Sequence, residues 1–504
     1  MNGYIIVTKT FAILREIVGD NFHRQHHLFL KEMDLSKCSK GEIMNTDIKL
    51  SFSKKLRFGV GDFGMSIIIA SLQFYMLFYY TDVVGINPAI AGSAMLVGKL
   101  TWDMINDGLF GYLIDKTKSR WGRHHPYLLF CSIPLALSFW LVYSLPSGMS
   151  DLVAFFAILG SFLLYDTFGT MVNTAYSAMT ATLTTDYNER TNLATTRMCF
   201  NVVGYILGAG ITTLLASIIV GAFGVSLGSA WSIVGLFFGF LAVVTIFITA
   251  FSKDLKPVVM DGPTTKMPAF KSLFSTFKNK PFRQFALITG IMSIAFTLVT
   301  TMLAYYIKYQ VNMEASTSII MLLMLGTLAI CLIPCKLVVD KIGKAKTYAL
   351  GLTIASAAII VGFFLPHKTS FIIFGIAIVA GLGFSSQWVC PHSMMPDVLE
   401  YDELMTGERR EGIYYGVWNM VGKVTGALGT ALCGWGLSIF GYVENVEQTS
   451  LSLLGIRLLF SVIPVVLLLI CVPLLMRYPI TKKSHDQLMV ELNKKREERL
   501  NEAK

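Results

Sequence analysis

Apolar residues recur along this chain in long uninterrupted runs, and the polar and charged residues collect between them. A helix rises 1.5 Å per residue, so crossing about 30 Å of hydrocarbon takes roughly 20 residues. About twelve runs reach that length, near 60–81, 88–114, 126–147, 152–182, 199–220, 229–251, 284–307, 316–339, 346–365, 370–396, 412–440 and 452–476. The pattern predicts an all-α membrane protein. Composition agrees, because 54% hydrophobic and 15% charged residues over 504 positions is more apolar than a soluble chain of this length needs.

Three polar side chains break the second run. Asp103, Asn106 and Asp107 lie inside AGSAMLVGKLTWDMINDGLFGYLI. A charge at the bilayer centre costs about 3–10 kcal/mol or more, so such residues face a water-filled or cation-holding cavity. Positions i, i+3 and i+4 share one helix face, which lets the three converge. Oxygen ligands alone suit a hard cation. A structural pair between Asp103 and Lys99, one turn earlier, is the competing reading.

Charge sets the topology. Lys54, Lys55 and Arg57 precede the first run, Lys116, Lys118, Arg120 and Arg123 follow the second, and Lys341, Lys344 and Lys346 follow the eighth. The opposite loops hold little beyond Lys308 and Lys368. The positive-inside rule therefore places both termini, the basic loops and the central loop 252–283 in the cytoplasm, with the chain in the cytoplasmic membrane. The net charge of +10 is thus a matter of membrane topology, and no nucleic-acid partner is expected. Residues 1–48 form an extension whose YIIVTKTFAILREIV stretch is too short and too charged to span. It reads as a surface helix or as an over-extended start ahead of Met44. Cys131, Cys199, Cys331, Cys335, Cys390, Cys433 and Cys471 lie within runs and read as small apolar fillers.

LIDKTKSRWGRHHPY follows the second run and VVDKIGKAKTY the eighth, each placing Asp-Lys, then Gly, then basic residues at a cytoplasmic end. This suggests duplicated halves, 49–251 and 284–477, each a six-helix bundle, with a charged tail at 478–504. Gly204, Gly208 and Gly210 in the fifth run and Gly426, Gly429, Gly434 and Gly436 in the eleventh suit close helix contact. The tail is a short charged helix expected at the membrane surface, with Leu488, Val490 and Leu492 on it.

KLRFGVGDFG, YYTDVVG, WDMINDGLFGYLIDKTKSRWGRHHPY, PDVLEYDELMTGERREGIYYG and GYVENVEQTSLSLLG together resemble the glycoside-pentoside-hexuronide cation symporters, the group containing the bacterial melibiose permease. The resemblance runs from about Lys55 to about Arg477 and implies the major facilitator fold, twelve helices in two six-helix bundles. It implies a cation site of Asp103, Asn106, Asp107 and Thr170, with Na+ the expected ion and H+ or Li+ the alternatives, and no other cofactor. At the sugar site it implies Arg197, while Ser66, Asn173 and Ser177 stand where the melibiose branch has an aspartate, an aspartate and a tryptophan. Asp62, one turn before Ser66, is expected as a displaced carboxylate, and Trp418 as a further substrate residue. A retained arginine with fewer carboxylates points to a hexuronide, since a guanidinium clamps a carboxylate with two hydrogen bonds.

Lys423, in WNMVGKVTGA, aligns with a family lysine near both sites and is expected to switch partners between Asp103 and Asp107. Snorkelling to an interface is the plainer alternative. The resemblance suggests gating by Asp115, Arg120, Asp340, Asp397, Glu400 and Arg409, with Arg410 and Tyr401 beside them. His392 is expected as a packed neutral histidine or a proton carrier. The chain is thus expected to couple inward Na+ or H+ movement to uptake of a glycoside, pentoside or hexuronide across the bilayer. A same-fold carrier of lipid-like solutes and a non-transporting sugar sensor are the rival readings. A hydrolase or transferase using Asp103 and Asp107 is disfavoured by the absence of HExxH and GxSxG.

Overall fold

The computed structural model describes residues 51–117, 119, 121–183, 187–252, 275–367, 370–407 and 410–502. The extension 1–48, most of the central loop, and Arg120 and Arg409 of the expected gates lie outside the described residues. Every regular element described is helical. In chain order these are α1 (Phe52–Phe78), α2 (Pro88–Gly98), α3 (Met104–Lys116), α4 (His125–Phe130), α5 (Ser132–Val142), α6 (Asp151–Thr182), α7 (Tyr187–Phe223) and α8 (Leu227–Ala250). Then come α9 (Lys280–Tyr305), α10 (Thr317–Ile330), α11 (Leu332–Ile342), α12 (Lys344–Phe363), α13 (Ile372–Thr406), α14 (Glu411–Ile439), α15 (Ser450–Arg457), α16 (Ile463–Met476) and α17 (Lys482–Glu502).

Local chemistry sets the breaks. Asn87 caps α2 by accepting from the Ala89 amide at 2.9 Å, with Pro88 at the first helical position, and Asn279 caps α9 through Phe282 at 3.0 Å, followed by Pro281. Gly407, at φ 78°, ends α13 in the left-handed conformation that glycine adopts without strain. Four π turns interrupt the helices, at Tyr79–Val83, Lys99–Asp103, Tyr306–Gln310 and Leu458–Val462. Each adds a residue to a turn and so shifts the face that follows.

Among the described residues nine helices are long and apolar enough to cross a membrane, and α10 with α11, bent by 43°, makes a tenth if taken as one span. The segment from Pro88 to Lys116 and helix α14 fall short of that apolarity. They carry Lys99, Asp103, Asp107 and Lys423, the polar residues of the site below.

The helices pack as two bundles. In the first, α1 is enclosed by α7 and α8, with α2 and α5 against α6; in the second, α12 packs on α13 and α16, and α9 on α14 and α16. The bundles meet along α2 and α14, α7 and α10, and α1 and α9. Glycines permit this approach. A Cβ on Gly208 would stand 2.3 Å from the Ile67 carbonyl oxygen, and one on Gly434 would stand 2.3 Å from that of Pro88 across the bundle interface. Gly434→Val is therefore expected to part α14 from α2. A Ser93→Cys reporter, whose native serine accepts from Trp435 Nε1 at 2.9 Å, should then gain labelling by an impermeant maleimide at least tenfold.

The charged tail is helical, as expected. α17 docks on the end of α13, with Leu488 and Leu492 buried and Val490 exposed. Arg496 forks onto Glu403 at 2.6 and 2.8 Å.

Candidate functional site

The site grows from the π turn between α2 and α3. Asp103 closes that turn and is buried, and Asp107 lies one helical turn further on and half exposed. Both reach Lys423 of α14, whose Nζ donates to Asp103 Oδ1 at 2.6 Å and to Asp107 Oδ2 at 2.5 Å. Asp103 is thus paired with Lys423, not with Lys99 as the spacing allowed. Lys99 lies at the opposite end of the π turn and lines the cavity beside it. The ion pair crosses from one bundle to the other, a geometry that snorkelling to an interface does not produce.

Asn106 points elsewhere. Its Nδ2 donates to Asp166 Oδ2 on α6, while its Oδ1 is buried with no hydrogen-bond partner. Thr170 is buried one turn beyond Asp166. The resemblance did not include Asp166, although a carboxylate within the apolar 152–182 run was a readable signal. Asp103, Asp166, Lys99 and Lys423 line one cavity of about 300 Å³.

A second cavity of about 370 Å³ shares Gln73, Ser293, Thr297 and Gly422 with the first. Its rings include Tyr205, Trp388 and Trp418, with Tyr205 and Trp388 edge to face at 5.5 Å. Trp418 packs edge to face on His392 at 5.0 Å and on Phe285 at 5.3 Å. His392 Nδ1 lies 3.1 Å from the Trp388 carbonyl oxygen. Gln387 Oε1, also at this cavity, is buried without a partner. Aromatic faces beside amides and hydroxyls are what a polar, ring-shaped solute needs: rings stack against its C–H face and amides serve its hydroxyls. Of these residues only Trp418 had been singled out for substrate. Gln73, Tyr205, and the adjacent Gln387 and Trp388 come from three helices, a grouping no local motif announces.

The expected sugar residues on α1, α6 and α7 are arranged differently. Arg197 forks onto Asp62, Nε to Oδ2 at 2.8 Å and Nη2 to Oδ1 at 3.2 Å, and its guanidinium lies 4.3 Å over the Tyr176 ring. The expected clamp for a substrate carboxylate is therefore engaged by a carboxylate of the chain itself, because α1 and α7 pack along their whole length and bring Asp62 to it. Ser66 accepts from Asn201 at 2.7 Å, and Asn173 and Ser177 are exposed on α6.

Two polar clusters close the ends of the molecule. At the end holding the 84–87 and 440–449 turns, Asp82 accepts from Thr81 at 2.9 Å, Lys308 at 3.0 Å, Tyr442 at 2.6 Å, and Tyr309. Its backbone oxygen takes the Asn445 amide at 2.8 Å. At the other end the expected arginine partners are replaced. Asp397 is held by Lys344 at 2.6 and 2.8 Å, and Glu400 by His485 of α17 at 2.6 Å. Arg410 instead forks onto Asp402 at 2.7 and 2.9 Å, and Tyr414 also donates to Asp402, at 2.6 Å. Asp402 lies eight positions before Arg410 on the turn of chain that closes α13, which brings it nearer than Asp397 or Glu400. Asp340 is exposed, its backbone oxygen 3.4 Å from Lys482 Nζ, and the Asp115 side chain lies outside the described residues.

Residues 57–482 match the family model described as MFS/sugar transport protein. An uncharacterised symporter of Synechocystis sp. is 29% identical, covering 88% of this chain and 97% of that protein. A glucuronide carrier protein homolog of Escherichia coli is 24% identical over 89% of this chain and 97% of its own length, and an isoprimeverose transporter of Lactiplantibacillus pentosus is 28% identical over 82% and 86%. Among solved structures, the nucleoside transporter NupG superposes with a TM-score of 0.61 at 14% identity, covering 84% of this chain and 99% of that one.

Proposed function

The chain belongs to the MFS/sugar transport protein family, and from that premise we propose that it couples inward Na+ movement to uptake of a glycoside or pentoside by alternating access. It is a multi-pass membrane transporter of the glycoside-pentoside-hexuronide symporter type, not an enzyme. The observation that carries the finer reading is the shared wall. Gln73, Ser293, Thr297 and Gly422 border both the carboxylate cavity and the aromatic cavity, so a cation in one and a solute in the other touch common side chains. Whatever one ligand does to the other's affinity is then reciprocal, and symport calls for it to be favourable. All the donors at Asp103, Asn106, Asp107, Asp166 and Thr170 are oxygens, which fits Na+, with Li+ or H+ as its competitors.

The solute sits against Trp388 and Trp418 with Gln387 on its hydroxyls. A neutral glycoside is favoured because the Arg197 guanidinium already holds Asp62. The glucuronide and isoprimeverose relatives span both charge classes, so the charged one is an arm of the test. By the positive-inside rule the Asp82 cluster is extracellular and both termini are cytoplasmic, in the cytoplasmic membrane.

Uptake of labelled neutral glycosides, xylosides and glucuronides into vesicles, with and without an inward Na+ gradient, tests this. Na+-dependent accumulation of a neutral class, lost in Asp107→Cys, is the expected result. Accumulation of glucuronides alone would reverse the substrate assignment, and movement under a proton gradient alone would reverse the cation.

A further inference from the structure

Lys423 serves two of the three carboxylates at this site and leaves the third. Its ammonium is within 2.6 Å of Asp103 Oδ1 and 2.5 Å of Asp107 Oδ2, whereas Asp166 has no ion-pair partner among the described residues. What Asp166 does have is the Asn106 amide, whose own oxygen is fully buried and unpartnered. A buried amide oxygen without a donor loses its solvation uncompensated unless something electropositive approaches it. A second buried ammonium would serve, but Lys423 is committed to Asp103 and Asp107, and Lys99, which lines the same cavity, makes no hydrogen bond or ion pair with Asn106 or Asp166 among the described residues.

Charge points the same way. In formal charge, Asp103, Asp107 and Asp166 count three negative, and Lys423 and Lys99 two positive, at this cavity and its Lys423 edge. One negative charge remains, the complement of a single monovalent cation.

We propose that Asp166 is a ligand of the coupling cation and sets its position: the ion is held on the α6 side of the site by Asp166, Asn106 Oδ1 and the free oxygen of Asp103, while Lys423 stays on Asp107 and shares Asp103. Thr170, one turn from Asp166 on the same face, supplies a hydroxyl to the same side. Asp107 is then chiefly the ammonium's partner, and Asp166 the ion's. This rests on the reading of the chain as a cation symporter and adds to it a residue and a division of labour.

The test is the melting temperature of the purified protein titrated with NaCl against choline chloride at constant ionic strength. Wild type is expected to gain stability with a saturable midpoint. Asp166→Asn should raise that midpoint at least tenfold, and Asp107→Asn should raise it less than Asp166→Asn does. A wild-type midpoint in Asp166→Asn overturns the proposal, as would Lys99 closing on Asp166 as a plain ion pair, since the melting temperature would then fall with no change of midpoint. If Asp166→Asn does not fold, Asp166→Glu, which keeps the charge and moves it by one methylene, must change the preference between Na+ and Li+; an unchanged preference overturns it equally. No response of the wild type to Na+ or Li+ removes the sodium reading itself, which separates that failure from this one.

Discussion

Lys423→Leu is expected to abolish gradient-driven uptake while tightening Na+ binding. The ammonium is the only cation within ion-pair distance of Asp103 and Asp107 among the described residues, and Asp103 is nearly solvent-free. Removing one partner of a buried pair costs about 3–5 kcal/mol. The Asp107 half of the bridge is 50% exposed and contributes much less. The leucine variant then carries a buried carboxylate without an ion-pair partner, which a bound cation compensates more closely than Lys99 across the cavity. Lys423 also competes with the ion for Asp103, and without it the ion binds more tightly. Uptake fails all the same, because the link between α14 and α3 is gone and the ion is released too slowly on the inner side. The measurements are Na+-driven vesicle uptake, expected to fall at least a hundredfold, and the Na+ midpoint of thermal stabilisation, expected to move to lower concentration. Unchanged uptake with an unchanged midpoint would show that the lysine only anchors α14.

The residues that were legible in the sequence are those whose cost shows without a partner. Each apolar run coincides with helix, and Asp103, Asp107 and Lys423 stood out because charges at membrane depth need a reason. What was hidden is pairing. Asp62 and Arg197 are 135 positions apart, and read separately each looked like a substrate contact, whereas α1 against α7 turns them toward each other. The Asn106 side chain illustrates a subtler limit. Its spacing placed it with the two aspartates, but the hydrogen bond to Asp166 depends on α6 lying alongside, and the π turn at Lys99–Asp103 changes the face that follows in a way that a uniform 3.6-residue period cannot express. Gln387 and Trp388 were invisible for the same reason, since their neighbours at the cavity come from other helices.

Asp82→Asn is expected to open the extracellular end. The two bundles end α1 and α9 with the related sequences Tyr79-Tyr80-Thr81-Asp82 and Tyr305-Tyr306-Ile307-Lys308, each running into a π turn. Corresponding positions at the ends of α1 and α9 thus carry opposite charges, and the apposition of the bundles brings them to 3.0 Å. The Asp82 carboxylate is 1% exposed and receives four donors, so its negative charge is stable only while Lys308, Tyr309 and Tyr442 of the second bundle stay against it. In the asparagine variant Lys308 keeps Asn445 at 2.8 Å and the exposed Glu314 at 3.6 Å, a weak replacement. Loss of the buried pair at about 3–5 kcal/mol corresponds to a shift of about two to three decades toward the outward-open state, at about 1.4 kcal/mol per decade. Labelling of the Ser93→Cys reporter from outside should rise accordingly and net uptake should fall, with binding of external sugar retained. The double variant Asp82→Asn/Lys308→Gln removes the stranded ammonium as well, so its effect should be smaller than the sum of the two single changes. Strictly additive effects, or a reporter no more accessible in Asp82→Asn than in wild type, would mean that the cluster is hydrogen-bonded packing and that the outer closure rests on the other contacts between the bundles.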